Sequence, residues 1–388
     1  MEVQGRPTIP DTLFNSSTPK LSRLELDNCR ISWRSPLLKR LKYLEIRNPS
    51  ATARPELAVW LAALDEMPQL MTLTLRSASP IAPPFPFVVS YIVTLSSLTS
   101  LNIFASPRDC ALALAHLDLP ALASLSLTAF SLHPFIKSDV EKLLPFIARH
   151  AYGPQDTQPL QSVLIRSEAY RADIRAWPVS NIGVEVHDLP TLLTEAPPAR
   201  VALSFTGLPE KCLDILDMMM ASLSLDGLVM LVAHDLSSNE YARGLETQHF
   251  WNHLSPMWPL LQCVQLGPAV AHGFIEMMHE DNGGGEKPLL PSLTQLVMFG
   301  FSSRSIQLLP LRNTLTKRAK EGFPVKVLDL RMCTLHLDDR AEYWLQSVSE
   351  IGVDVLHPEQ TLEAREQMES MWNIIAYGPF FDDEDDDE

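Results

Sequence analysis

The sequence predicts an α/β solenoid of horseshoe type, with a parallel sheet lining the inside and helices on the outside. Three observations predict it. Leu21-x-x-Leu24-x-Leu26-x-x-Cys29-x-Ile31 and, about three hundred residues later, Val325-x-x-Leu328-x-Leu330-x-x-Cys333-x-Leu335 share one eleven-residue pattern. Shorter pieces of the same pattern recur between them. The stretches separating those pieces carry apolar residues at helical spacing.

The shared pattern is L-x-x-L-x-L-x-x-N/C-x-L, the consensus of the leucine-rich repeat. Its spacing has physical causes. Residues one, four and six point inward, because a single coil cannot bury its own apolar face and must stack on its neighbours. The Asn or Cys at position nine sits where the strand ends and donates to backbone carbonyls that would otherwise be buried unpaired. Cysteine does this while remaining largely apolar.

Taken in order, the shorter pieces are Leu41-x-x-Leu44-x-Ile46, Leu70-x-x-Leu73-x-Leu75, Leu98-x-x-Leu101-x-Ile103 and Leu122-x-x-Leu125-x-Leu127, then Leu160-x-x-Val163-x-Ile165, Leu261-x-x-Val264-x-Leu266 and Leu293-x-x-Leu296-x-Met298. Any one of them is weak evidence; their spacing carries the case. First positions fall at 21, 41, 70, 98 and 122, and again at 261, 293 and 325. These steps lie near or slightly above the usual period of about 20 to 29 residues, and the longer ones leave room for an outer helix.

Helices fill that room. Pro55 starts one running through Leu57, Trp60, Leu61 and Leu64. Ser138-x-x-Glu141 reads as a capping box, followed by the stripe Val140, Leu143, Leu144 and Ile147. Asp339-x-x-Glu342 opens another, with Ala341, Trp344, Leu345 and Val348 on its buried side. Residues 166–258 show no full pattern. Strands at 201–205 and 228–232 and a helix over 209–223, carrying Leu213, Leu216, Met219 and Met220, suggest degenerate repeats, with a break or an inserted subdomain as the alternative. The predicted organisation is an N-terminal extension over 1–12, the solenoid over 13–357, a helix over 358–379 and an acidic tail over 380–388. Met368, Met371, Trp372 and Ile375 recur at helical spacing. An open solenoid needs its last apolar layer covered, so that helix is read as a cap, or else as a partner-binding helix.

Composition points to a large buried core: 46% of the 388 residues are hydrophobic. No apolar run of about 18 residues suggests a membrane span, and residues 1–20 lack the pattern of a secretory signal. Five scattered cysteines, Cys29, Cys110, Cys212, Cys263 and Cys333, form no C-x-x-C pair, which suggests reduced thiols in an intracellular protein, cytoplasmic or nuclear. The net charge is −16, and residues 382–388 supply seven of those sixteen charges, leaving −9 on the rest. An acidic chain without a basic face is unsuited to nucleic acid. It favours protein partners with a basic surface.

From Leu13-Phe14 through Pro19 and Leu21 to Cys29, then Trp33, Pro36-Leu37-Leu38, Leu41, Leu44, Ile46 and Pro49, the chain resembles the leucine-rich-repeat region of F-box proteins abundant in mushroom-forming fungi. Trp60-Leu61, Met67-Pro68, Leu70, Leu73, Leu75 and Pro80 continue the likeness. It covers residues 13–80 and thins to general repeat character beyond. The resemblance implies substrate recognition for a ubiquitin ligase. It also implies an F-box ahead of the repeats, docking on the ligase adaptor. The residues preceding Leu21 are too few for one, so adaptor binding is expected only if an F-box lies upstream.

Candidate chemistry is sparse, and no cofactor or metal is expected. His249 and His253 share one helical face at a spacing zinc can use, but the Glu of H-E-x-x-H is missing and no third ligand stands out. The glycines at 283–285 lack the phosphate-loop spacing and read as a loop. Cys110 follows Arg108 near a helix start, where a thiol pKa can be lowered; a buried core thiol is the plainer reading. No G-x-S-x-G occurs.

Function therefore rests on the concave face, where strand alternation places positions three, five and seven. These are Arg23, Glu25 and Asp27; Tyr43, Glu45 and Arg47; Thr72, Thr74 and Arg76; Ser100, Asn102 and Phe104; and Ser124, Ser126 and Thr128. Near the far end stand Gln295, Val297 and Phe299, then Val327, Asp329 and Arg331. Aromatics and arginines are the types that most often anchor a partner. The reading is a non-catalytic protein-binding module, with an enzyme or enzyme activator sited in 166–258 as the rival.

Overall fold

The computed structural model describes residues 7–11, 13, 20–49, 54–81, 91–130, 137–152, 158–168, 171–180, 196–207, 213–235, 248–280, 289–302, 308–334 and 339–357. The expected helix over 362–376, the acidic tail, the glycine run at 283–285, Cys212 and most of the N-terminal extension lie outside the described residues.

In chain order the strands are Arg23–Asp27 (β1), Tyr43–Arg47 (β2), Thr72–Arg76 (β3), Val93–Thr94 (β4), Ser100–Ala105 (β5), Leu117–Asp118 (β6), Ser124–Phe130 (β7), Ser162–Glu168 (β8), Arg171–Trp177 (β9), Val201–Thr206 (β10), Met230–Asp235 (β11), Cys263–Leu266 (β12), Gln295–Ser302 (β13), Val327–Thr334 (β14) and Asp354–Leu356 (β15). The helices are Leu57–Asp65 (α1), Pro107–Ala115 (α2), Lys137–Glu141 (α3), Leu144–Tyr152 (α4), Leu213–Ser222 (α5), Gln248–Leu254 (α6), Pro268–Glu280 (α7), Leu308–Lys320 (α8) and Asp339–Ser349 (α9). The result is a mixed α/β protein with a large, mostly parallel sheet of thirteen strands. Strands β4 and β6 pair separately. None of the described helices is long and apolar enough to cross a membrane.

The chain divides into two compact units. One is Met1–Gln158, Tyr170–Arg175 and Ala199–Ser224; the other is Pro159–Ala169, Ala176–Pro198 and Leu225–Glu388.

In the first unit the strand order is β1-β2-β3-β5-β7-β10-β9. Parallel pairing sets Leu24, Leu44, Leu73, Leu101, Leu125 and Val201 side by side, with Leu26, Ile46, Leu75, Ile103, Leu127 and Leu203 as a second row. Apart from Leu24 on the edge strand, all of these are buried, each at about 1.5 to 3 kcal/mol of transfer free energy. Register is fixed at both strand ends. At the entry, the Ser22 carbonyl accepts from the amides of Lys42 and Tyr43, and the Lys42 and Met71 carbonyls do the same for the next strands. At the exit, Asn28, Asn48 and Ser77 stand at positive φ (53°, 47° and 52°), and their amides donate to the carbonyls of Arg47, Arg76 and Phe104. Asparagine enters this region at low cost because its side chain bonds locally.

Helix α2 begins under a Ser106 cap, whose hydroxyl accepts from the Asp109 amide at 3.2 Å, with Pro107 supplying the first turn. It buries Cys110, Ala113 and Leu114 against β5 and β7. Helix α1 buries Trp60, Leu61 and Leu64 as its spacing predicts, but opens at Leu57 rather than at Pro55. The expected capping box at Ser138 is not formed. Ser138 lies inside the short α3, and the chain turns again before α4; Val140, Leu143 and Ile147 are nonetheless buried.

In the second unit the order is β8-β11-β12-β13-β14-β15. Val163, Leu231, Val264, Leu296 and Leu328 align across it. The strand-entry arrangement returns, with the carbonyls of Gln161, Val229, Gln262 and Thr294 each accepting two amides of the following strand. The Cys333 thiol donates to the Met298 carbonyl at 3.2 Å, the task anticipated for position nine. Trp251 anchors an aromatic cluster, edge-on to Phe274 at 5.2 Å and to Trp258 at 6.3 Å.

Within 166–258 the two expected strands appear as β10 and β11, and α5 buries Leu216, Met219 and Met220. Leu228-x-x-Leu231-x-Ala233 completes the pattern with an alanine at position six. The strand beside β7 is β10, so the piece at Leu160 is not the neighbour of the piece at Leu122, as chain order would have it. Strand β9 was not legible as a repeat. Its period-two alternation of buried Ala172, Ile174 and Ala176 with half-buried Arg171, Asp173 and Arg175 was the available signal.

Candidate functional site

Helices cover the side of the sheet bearing the aliphatic rows, as α2 and α4 do around Leu122 and Leu125. Strand alternation sends the remaining side chains to the opposite face. In the first unit the register draws three cross-strand rows there: Arg23, Tyr43, Thr72, Ser100, Ser124; Glu25, Glu45, Thr74, Asn102, Ser126; and Asp27, Arg47, Arg76, Phe104, Thr128. All fifteen anticipated positions of this unit thus share one face.

The rows start in a bonded network. The Arg23 guanidinium lies over the Tyr43 ring, 3.9 Å from its centroid, and pairs with Glu25. The Tyr43 hydroxyl donates to Glu45 Oε2, and Arg47 Nε donates to Glu45 Oε1 at 2.7 Å. Glu45 is only 5% exposed. Burial pushes its pKa up, but the bonds from Arg47 and Tyr43, with the charges of Arg47 and Arg76, outweigh burial and hold it below the ordinary carboxylate value. The bond to Glu45 in turn raises the pKa of both Tyr43 and Arg47. Thr74 is also buried.

Toward β5 and β7 the character changes. Arg76 is exposed and makes no hydrogen bond or ion pair among the described residues. Its register partner Phe104 is half-buried and stacks on Phe130 at 4.7 Å. A free guanidinium beside a fixed aromatic pair is thus presented on a bed of Ser and Thr.

The second unit differs. Phe299 and Asp329, anticipated as open contacts, are buried, as are Val297, Val232 and Gln265 on the same face. Asp329 is 1% exposed and held by Arg331, whose Nη2 donates to Oδ2 at 2.8 Å and whose backbone amide donates to Oδ1 at 3.1 Å. Only Arg331 of this far group is exposed. The sequence could not show this, because alternation assigns a side of the sheet and says nothing of whether that side meets water.

His234, on β11, was not singled out from sequence. It is 1% exposed, neither ring nitrogen has a hydrogen-bond partner, and the Phe299 ring lies 4.8 Å away. Burial, with the charge of Arg166 second, lowers its pKa to about 3. A histidine so placed stays neutral. Gly267 passes close by, where an added Cβ would sit 3.3 Å from His234 Cδ2.

His249 and His253 are exposed on α6. Among the described residues no three His, Cys, Asp or Glu side chains are grouped to hold a metal ion. Cys110 is wholly buried, and desolvation raises its pKa, so the thiolate reading is overturned. Cys29, Cys110, Cys263 and Cys333 are free thiols. Compared with known proteins, the chain matches no family model and no curated protein.

Proposed function

We propose that the chain is a leucine-rich-repeat recognition module that binds a protein partner on the polar face of its first unit. The reading likens it to the substrate-recognition part of F-box ubiquitin-ligase adaptors, with docking on the ligase only where an F-box precedes the repeats. The recurring strand-entry carbonyls and aligned aliphatic rows support the solenoid reading. The observation that carries the binding reading is the contrast within the face. Glu25, Glu45, Arg23 and Arg47 are already paired with one another, whereas Arg76 is exposed with no hydrogen bond or ion pair among the described residues, beside Phe104, whose ring is fixed by stacking on Phe130. Free arginine beside an aromatic is the composition of a binding hot spot. The net charge of −16 steers a partner with a basic surface, and Arg76 takes a carboxylate within the contact.

A photo-crosslinking residue at Asn102, used in a native extract, tests this. A partner captured there should be lost with Arg76→Ala or Phe104→Ala, each costing about tenfold in affinity, and retained with Arg331→Ala. Capture indifferent to the first two substitutions would refute the assignment of this face. The rival, chemistry within 166–258, gains nothing from His234, which is shut from solvent.

A further inference from the structure

The strand-entry leucine is the most regular feature of the buried layers. Leu41, Leu70, Leu98, Leu160, Leu228 and Leu261 are all at 0% exposure. Leu122 departs from this: it lies inside the strand series of the first unit yet is only half-buried. An open cavity of about 290 Å³ lies beside β7, between the end of α2 and helix α4, and Leu122 is one of its walls.

Its walls are Leu114, Leu117, Leu122, Leu125 and Phe146. Arg149 also lines it, is exposed, and makes no hydrogen bond or ion pair among the described residues. The neighbouring His150 adds no charge. Its Nε2 meets the Arg200 carbonyl at 3.0 Å, and burial lowers its pKa. Asp118, the acidic group of the lining, accepts from the Thr94 hydroxyl at 3.2 Å. The volume sits at the small end of ligand pockets, which run from about 300 Å³ upward.

We propose that this cavity binds a small amphipathic carboxylate, its alkyl or aryl body lying against the apolar walls and its carboxylate meeting Arg149. The apolar walls exclude a polar body, and a single planar guanidinium matches a carboxylate through two parallel hydrogen bonds. The site is separate from the polar face proposed for the protein partner, lying among the helices on the other side of the sheet.

Titration calorimetry of the full chain with octanoate and with 1-octanol tests it. Octanoate should bind saturably, one molecule per chain. Leu122→Trp, which fills the cavity, should abolish binding of both probes. Arg149→Glu, at an exposed position that cannot unfold the layer, should weaken octanoate about tenfold, the effect of placing a like charge at the head group, and leave octanol within about twofold. No saturable octanoate binding up to about 1 mM, full binding in Leu122→Trp, or equal weakening of both probes by Arg149→Glu would each overturn the proposal.

Discussion

Leu26 and Leu330 are buried at position six of the first and the last clear repeats, so Leu→Ala at either should cost about 2 to 5 kcal/mol. Glu25→Ala, at an exposed site, should change stability by less than about 0.5 kcal/mol. Asp329 occupies the same position as Glu25 in the pattern, yet its burial under four contacts from Arg331 makes it a different residue energetically. Asp329→Ala should cost about 1 to 3 kcal/mol, the penalty for breaking buried charged hydrogen bonds. Denaturant unfolding that ranks Asp329→Ala with Glu25→Ala would contradict the geometry. His234 gives a prediction with pH. Its folded value near 3 lies below the ordinary 6.5, so between those values the unfolded chain binds a proton that the folded chain refuses. Its contribution to stability is complete above 6.5 and is lost as pH falls toward 3, at about 1.4 kcal/mol per pH unit within the window. Urea melts at pH 7, 5.5 and 4.5 should therefore show a shallower acid loss in His234→Leu than in the parent chain.

At the scale of elements, α2 is the best-specified helix, since Ser106, Pro107 and Asp109 all act on its first turn. Asp109 also accepts from Arg54 at 2.7 Å, tying the helix start to the preceding segment. Ser106→Ala should cost about 1 kcal/mol through loss of the cap, measurable as an unchanged m-value with a lower midpoint. The strands were legible wherever positions four and six were both large aliphatics. Strand β11 was legible as a strand but not as a full repeat, because its position six is the small Ala233, and β9 was missed because its inward residues Ala172, Ile174 and Ala176 include only one large aliphatic. The anticipated rows at β1, β2, β3, β5 and β7 came together as read because period-two alternation is a local property that parallel pairing preserves.

For the molecule as a whole, thiol accessibility offers a check on how the layers close. Cys110 and Cys333 are buried at 0% exposure, while Cys29 and Cys263 are half-buried. Burial also raises the Cys263 pKa to about 12, which slows its attack. Native-state alkylation followed by mass spectrometry should thus label Cys29 first and Cys110 and Cys333 last; early labelling of Cys333 would mean that the β13–β14 layer opens in solution.

What the sequence determined by itself was the α/β class, the positions of the strands that carry the leucine pattern and the side of the sheet their residues take, because leucine spacing and alternation act over a few residues. Tertiary structure alone decided that β10 rather than β8 lies beside β7, that Phe299, Asp329 and His234 are buried while Arg76 and Phe104 meet solvent, and that a cavity opens at Leu122. Burial and strand neighbours depend on which distant segments pack together. That packing is settled by the sum of many weak contacts, and no single stretch of the sequence records it.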